Sequence, residues 1–204
     1  MGPLVQGIKN TQTYDWANSD FNIKSRFTFG GNYDIPFGKS LKGAPKLALA
    51  GWQVNGSFAW QTGLPFTVAT QGSVSGIAGV GGNLERPTLV SNNIRTATPT
   101  VGVTGQFLNP ASFAIPAAGT LGNAPRNLGY GPNQSVVNLS LFKNFQFKER
   151  YTLQFRTEAF NLPNHPVFDR PQFNNLGNVN FGKVTSLAPG YAMRQVQFAL
   201  KFLF

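Results

Sequence analysis

The sequence predicts an all-β, antiparallel, up-and-down architecture of about five long strands joined by alternately short and long connections. Three observations predict it. Apolar and polar residues alternate with a period of two over five separate stretches, the pattern of strands with one greasy face and one wet face. Gly 23, Pro 14 and Phe 19 in 204 residues, with only 12% charged residues, describe a turn-rich chain suited to strands rather than helices. No stretch approaches the ~18 consecutive apolar residues of a membrane-spanning helix, so any membrane crossing falls to strands.

The elements follow in chain order. Residues 1–20 are polar and irregular, with Asp15, Trp16, Asn18, Ser19 and Asp20 reading as the end of a loop. The strand-bearing part then runs over 21–204. Its first strand places Ile23, Phe27, Phe29, Tyr33 and Ile35 on one side and Lys24, Arg26, Thr28, Asn32 and Asp34 on the other. Pro36 stops it, having no N–H for a ladder, and Gly38 and Lys39 open a short polar turn through Pro45. The second strand, from about Leu47 to Thr62, sets Ala48, Ala50, Trp52, Val54, Gly56, Phe58 and Trp60 against Gln53, Asn55, Ser57 and Gln61.

From 63 to 133 the alternation gives way to Gly, Pro, Asn, Thr and Ser, a long irregular connection. The third strand, Gln134 to Phe147, carries Val137, Leu139, Leu141, Phe145 and Phe147 opposite Asn138, Ser140, Asn144 and Gln146. Lys143 falls on its apolar side, so either it snorkels towards a polar boundary or a bulge shifts the register. Lys148-Glu149-Arg150 makes a tight turn. The fourth strand has Tyr151, Leu153, Phe155 and Ala159 on one face and Thr152, Gln154, Arg156 and Glu158 on the other, and ends at Asn161-Leu162-Pro163-Asn164-His165-Pro166. A short extended piece is expected at Phe181 to Ser186. The closing strand, 192–204, alternates Val196, Phe198, Leu200, Phe202 and Phe204 with Gln195, Gln197 and Lys201.

Which solvent the greasy face meets decides the function. Trp52 and Trp60 are eight residues apart, ~26 Å along a strand and ~20 Å in height once tilted by about 40°. That is close to the spacing of the two aromatic belts flanking an outer-membrane apolar band, with Tyr151 as a third girdle residue. The closing strand resembles the last strand of a bacterial outer-membrane barrel, in which alternating apolar residues ending on Phe form the signal read by the barrel-assembly machinery. An amphipathic last strand of a soluble sandwich would look alike on this stretch alone. The long connection 63–133 counts against a compact soluble domain but suits a barrel with long external loops and short internal turns. The expected fold is thus a segment of an antiparallel up-and-down transmembrane β-barrel, an incomplete barrel with long extracellular loops, in the lipid of a Gram-negative cell outer membrane. With the final Phe periplasmic, the turns at 36–46 and 148–150 are periplasmic too. The loop ending at residue 20 and the loop 63–133 are then external.

Chemistry-bearing constellations are sparse. There is no cysteine, His165 is the sole histidine, and the seven acids form no close pair. Gly72-Ser73-Val74-Ser75-Gly76 has Val where a nucleophile elbow needs Ser, and the run at Gly79, Gly81 and Gly82 lacks the context of a phosphate loop. No catalysis, metal or cofactor is expected. The net charge of +10 is dispersed and carries no nucleic-acid motif, so no nucleic-acid partner is expected. Lys24, Arg26, Arg156, Glu158 and Lys201 are expected to face a wet lumen, where they either guide an anionic ligand or contact a plug, or satisfy one another and solvent. Ligand contact is expected within 63–133, with no single residue distinguished. Two alternatives stay open: a soluble β-sandwich binding module, for example for carbohydrate, with Trp16, Trp52 and Trp60 as stacking surfaces, and a small self-assembling pore.

Several phrases resemble the C-terminal end of TonB-dependent receptors of the Oar-like, carboxypeptidase-regulatory-like group. They are Arg26-Phe27 leading to Asp34-Ile35-Pro36-Phe37-Gly38, then Gly51-Trp52-Gln53-Val54-Asn55-Gly56 with Thr62-Gly63-Leu64-Pro65-Phe66, and Asn109-Pro110-Ala111-Ser112-Phe113. Asn138-Leu139-Ser140-Leu141-Phe142-Lys143-Asn144-Phe145, Phe155-Arg156-Thr157-Glu158-Ala159-Phe160-Asn161-Leu162 and the closing strand complete the set. The resemblance implies an outer-membrane barrel, a periplasmic plug, energy coupling through TonB, and movement of a bulky ligand. The sequence departs from that pattern in showing no plug, TonB box or regulatory domain, and its first ten residues lack a secretory signal. Five strands also fall short of a barrel of about 22. The chain is therefore expected to be the C-terminal portion of a longer receptor, with TonB reached through the missing N-terminal part, and to transport nothing alone.

Overall fold

The structure, a computed structural model, describes residues 15–71, 85–147, 151–172 and 174–204. The turn Lys148-Glu149-Arg150, the glycine-rich stretch 72–82 and the first fourteen residues lie outside the described residues. In chain order the strands are β1 (Arg26–Asp34), β2 (Trp52–Gln61), the two-residue β3 (Pro65–Phe66), β4 (Ala69–Thr70), β5 (Thr88–Leu89), β6 (Phe113–Ala114) and β7 (Gly129–Tyr130), then β8 (Gln134–Phe147), β9 (Tyr151–Phe160), the two-residue β10 (Asn175–Leu176) and β11 (Gln195–Leu203). The chain divides into two compact units, a strand unit of 26–61, 134–167 and 190–204 and a loop unit of 1–25, 62–133 and 168–189.

The strand unit is a single sheet in the order β1-β2-β8-β9-β11, every pair antiparallel. Its register follows from the pleat, because residues directly opposite share a face and a one-residue slip would turn every side chain over. Phe29 lies opposite Phe58, which lies opposite Val137. Further along, Trp52 faces Lys143, Lys143 faces Phe155 and Phe155 faces Leu200. All the apolar sets named above therefore meet on one side. The other side collects Arg26 opposite Gln61, Asn55 opposite Ser140, Ser140 opposite Glu158, and Glu158 opposite Gln197. β1 and β11 are each paired on one side only among the described residues. Both long connections leave one end of the strands, where Gln61 pairs with Gln134 and Phe160 with Gln195.

Several strand boundaries differ from the sequence expectation. The second strand begins at Trp52, because Ala44–Leu49 form a helix, α1. Pro45 sits in its first turn with its missing N–H harmless, and Gly43 enters at φ 68. Ala48 and Ala50 consequently leave the apolar strand face, and the short polar turn becomes a helix-bearing connection. The first strand begins at Arg26, so Ile23 and Lys24 precede it. The last strand stops at Leu203, and Phe204 lies just beyond it with its ring 6.1 Å from that of Phe202.

The loop unit holds the buried core. Phe66, Val68, Phe107, Leu108, Phe113, Phe181 and Val184 form one buried cluster, with Leu89, Ile94, Leu128, Phe168 and Leu176 packed against it. Phe113 meets Phe181 edge-on at 5.6 Å. Three two-residue ladders brace the cluster, β3 with β7, β5 with β6, and the parallel β4 with β10. The described residues of 63–133, 63–71 and 85–133, thus pack into a body rather than an irregular connection. Phe181 to Ser186 is not the expected extended piece; Phe181 and Val184 are core residues there.

Candidate functional site

The strand unit inverts the usual arrangement of a water-soluble sheet. Among the described residues, Val167 is its one buried hydrophobic, whereas Phe198 is 68% exposed, Leu200 70% and Phe29 64%. A contiguous apolar surface of this kind marks a membrane or partner contact. Its aromatics associate across strands: Phe155 stacks on Phe198 at 6.1 Å, Tyr151 on Phe202 at 5.8 Å, and Phe27 tilts against Phe58 at 6.1 Å. Of the assembly-signal set, Val196, Phe198, Leu200 and Phe202 share this face.

Trp52 and Trp60 stand at opposite ends of β2 on the same face, with Gly56 midway. The Trp52 indole N–H donates to the Ala48 carbonyl at 3.0 Å. Tyr151 opens β9 opposite Phe147, towards the short-connection end. Lys143 is resolved without a bulge, since pairing is continuous across it on both sides. Its ammonium donates to the Ala50 carbonyl and lies 5.1 Å from the ring centroids of both Trp52 and Phe145. The whole side chain is buried, so the charge does not snorkel into solvent; the Ala50 carbonyl, just before β2, holds it instead.

Four of the five charges expected on the wet face are there. Arg26 pairs with Gln61 and Lys201 with Gln154; Glu158 accepts a hydrogen bond from the Gln197 amide. Arg156 donates from Nε to Gln154 at 2.6 Å and lies 4.7 Å over the Phe142 ring, an aromatic on the polar face that the alternation had left unassigned. Lys24 is the exception. It belongs to the loop unit, where its ammonium lies 4.2 Å from the centroid of the Tyr130 ring. Polar anchoring of the segment before β1 explains this: the Tyr130 hydroxyl accepts from Asn18 and donates to Asn22. α1 and the polar ends of β8 and β9 also frame a cavity of about 1180 Å³ that includes Lys39, Lys46, Asn144 and Gln154.

The loop unit has its own polar cavity of about 400 Å³, lined by Asp20, Thr67, Asn127, Asp169, Arg170 and Asn174 among others. Asn127 organises it. At φ 51 it occupies the left-handed region that Asn tolerates, its backbone N–H donates to Thr67 Oγ1, and its amide donates to Asn18 O and to Asp20 Oδ1, both at 2.7 Å. The Asn127 bond, with Arg126 at 3.1 Å, holds the Asp20 carboxyl below its usual range against the opposing effect of burial. Arg170 donates to Pro65 O at 3.1 Å, Asn174 to Thr67 O at 2.6 Å, and Gln172 fixes the far wall by accepting from the Thr185 and Ser186 amides. Asp169 Oδ1 is sealed from solvent with no hydrogen-bond partner among the described residues. The sequence offered no signal for this group, because its members come from four distant segments, around residues 20, 67, 127 and 169–174.

A family model described as an outer membrane beta barrel domain matches residues 2–197. Comparison with curated proteins and with solved structures found no match.

Proposed function

Because the chain belongs to the outer membrane beta barrel domain family and so to the outer membrane, we propose that its long strands are C-terminal wall strands of a TonB-dependent receptor that moves a bulky ligand across that membrane. The observation that carries this reading is the open five-strand meander, with one continuous apolar face and two edge strands that are paired on one side only among the described residues. Each unsatisfied backbone group at such an edge costs several kcal/mol in hydrocarbon, so further strands complete the wall. The family-like phrases at 34–38, 51–56, 138–145 and 155–162 support the receptor assignment over other barrels.

On this reading Val196, Phe198, Leu200, Phe202 and Phe204 engage the barrel-assembly machinery, and Trp52, Trp60 and Tyr151 anchor at the lipid boundaries. Arg26, Arg156, Glu158 and Lys201 face the lumen and the plug. The helix-bearing connection and the turn at 148–150 are periplasmic, and the loop unit is external. TonB acts through a part N-terminal to these strands. The chain catalyses no reaction and takes no cofactor.

An antibody against the loop unit tests the reading on outer membranes of the source cell. The expected band is far larger than 22.1 kDa and is cross-linked to TonB by formaldehyde in intact cells. A band at the size of this chain alone, with no TonB adduct, would sink it.

A further inference from the structure

We propose that the polar face of the sheet carries, at the end where α1 returns to β2, a binding site for a small molecule with several carboxylate or phosphate groups, held by Arg156, Lys201, Lys39 and Lys46. Lys39 and Lys46 line the cavity of about 1180 Å³ together with Asn144 and Gln154. Gln154 ties the other two cations to it, because it lies opposite Lys201 across the β9–β11 ladder and bonds Arg156. The volume slightly exceeds the ~300–1,000 Å³ of small-ligand sites, so it suits a ligand with several charged groups better than a single ion.

The guanidinium is oriented in advance. Gln154 Nε2 donates to Asn144 Oδ1 at 2.8 Å, Arg156 Nε donates to Gln154 Oε1 at 2.6 Å, and the guanidinium lies 4.7 Å over the Phe142 ring. Its Nε and one flat face are engaged, while its two terminal nitrogens have no partner among the described residues. Those nitrogens are the forked donors that grip a carboxylate or phosphate with two bonds. Lys39, Lys46 and Lys201 are exposed, and none makes a hydrogen bond or ion pair among the described residues. The acids do not cancel these charges. No carboxylate lines the cavity among the described residues, and Glu158 is bonded to the Gln197 amide. Asp34 shares a row of the sheet with Arg156, through Gln53 and Phe142, but stands three strands away, ~14 Å. That exceeds the ~8 Å over which salt screens charges at physiological strength. A surplus of positive charge beside an oriented guanidinium attracts anions and repels cations, and gives a neutral ligand no advantage. The inference does not rest on TonB coupling, because the polar face of a barrel wall meets water whatever the barrel carries.

The test uses the whole chain folded in an uncharged detergent at low salt. Calorimetry probes citrate and tripolyphosphate, with spermidine, maltotriose and hexaglutamate as controls. At least one of the two small anions should bind with Kd of ~0.1 mM or tighter. Arg156→Gln and Lys46→Gln should each weaken it at least ~5-fold. Arg156→Lys, which keeps the charge and loses the fork, should recover only part of that loss. Arg26→Gln removes the same charge from the same face at the opposite end of the strands, and should change the affinity less than ~2-fold. Lys46 lies on α1, outside the ladder, so its variant decides the case if Arg156→Gln fails to fold, and tryptophan fluorescence reports folding. The proposal is overturned if neither small anion binds, if spermidine or maltotriose binds as well as they do, or if the folded site variants bind like the unaltered chain. Tighter binding of hexaglutamate than of both small anions would assign the surface to an acidic protein segment and overturn it too. So would an equal loss in Arg26→Gln, which would reduce the effect to the net charge of +10.

Discussion

Lys143 and Trp52 are directly opposed across the β2–β8 ladder, the ammonium 5.1 Å from the indole centroid and bonded to the Ala50 carbonyl. A cation on a lipid-facing strand is tolerated near the boundary and costly at the midplane, roughly 0–1 against 2–4 kcal/mol. Lys143→Leu should therefore change the unfolding free energy by no more than about 1 kcal/mol. Leu139→Lys, opposite Gly56 and midway between the two tryptophans, should cost ~2–4 kcal/mol. Denaturant unfolding in lipid vesicles measures both, and equal costs would remove the depth assignment.

Asp20 makes the loop unit sensitive to acid. Its folded-state pKa is lowered, first by the Asn127 hydrogen bond and then by Arg126, so its contribution is present above the unfolded value of ~3.9 and lost as pH falls through the folded value below it. Amide protection in the loop unit should decline below about pH 4. Asp20→Asn should flatten that decline and lower protection at pH 7. An unaltered profile in the variant would show that another carboxylate sets the acid limit.

Backbone crowding in the loop unit predicts a sharp contrast between two glycines. A Cβ at Gly122 would stand 2.1 Å from the Arg86 carbonyl oxygen and 2.3 Å from Pro87 C, neither of which can swing aside. At Gly30, on the polar face of β1, the nearest atom is 3.7 Å away. Gly122→Ala should destabilise by at least ~1–3 kcal/mol, as overpacking does, while Gly30→Ala should be near neutral. Thermal unfolding of the two variants compares them directly.

These contrasts also mark what could be read from the chain alone. Gln134 to Phe147 was legible to its ends because fourteen residues repeat one period, with only Ser135 near its start and Lys143 breaking the apolar side. The start of β2 was misread because Ala48 and Ala50 are small residues compatible with either period, while Ala-Pro-Lys-Leu-Ala-Leu has strong helix formers behind a first-turn proline. Lys24 fits the strand alternation in sequence, and only the Tyr130 ring, more than a hundred residues away and bonded to Asn18 and Asn22, draws it elsewhere. The loop core had no period to detect. Phe66, Leu108 and Val184 are brought together by two-residue ladders and turns, too short to leave a repeat.

The central claim is that the apolar face of the sheet meets hydrocarbon, and the lack of any cysteine makes it directly measurable. Single cysteines along β11, spin-labelled in vesicles, report accessibility to oxygen dissolved in lipid and to a water-soluble nickel chelate. High oxygen access at 196, 198, 200 and 202, alternating with high nickel access at 197, 199 and 201, is the predicted result. Labels at 198, 200 and 202 shielded from both reagents would place that face inside a protein core and contradict it.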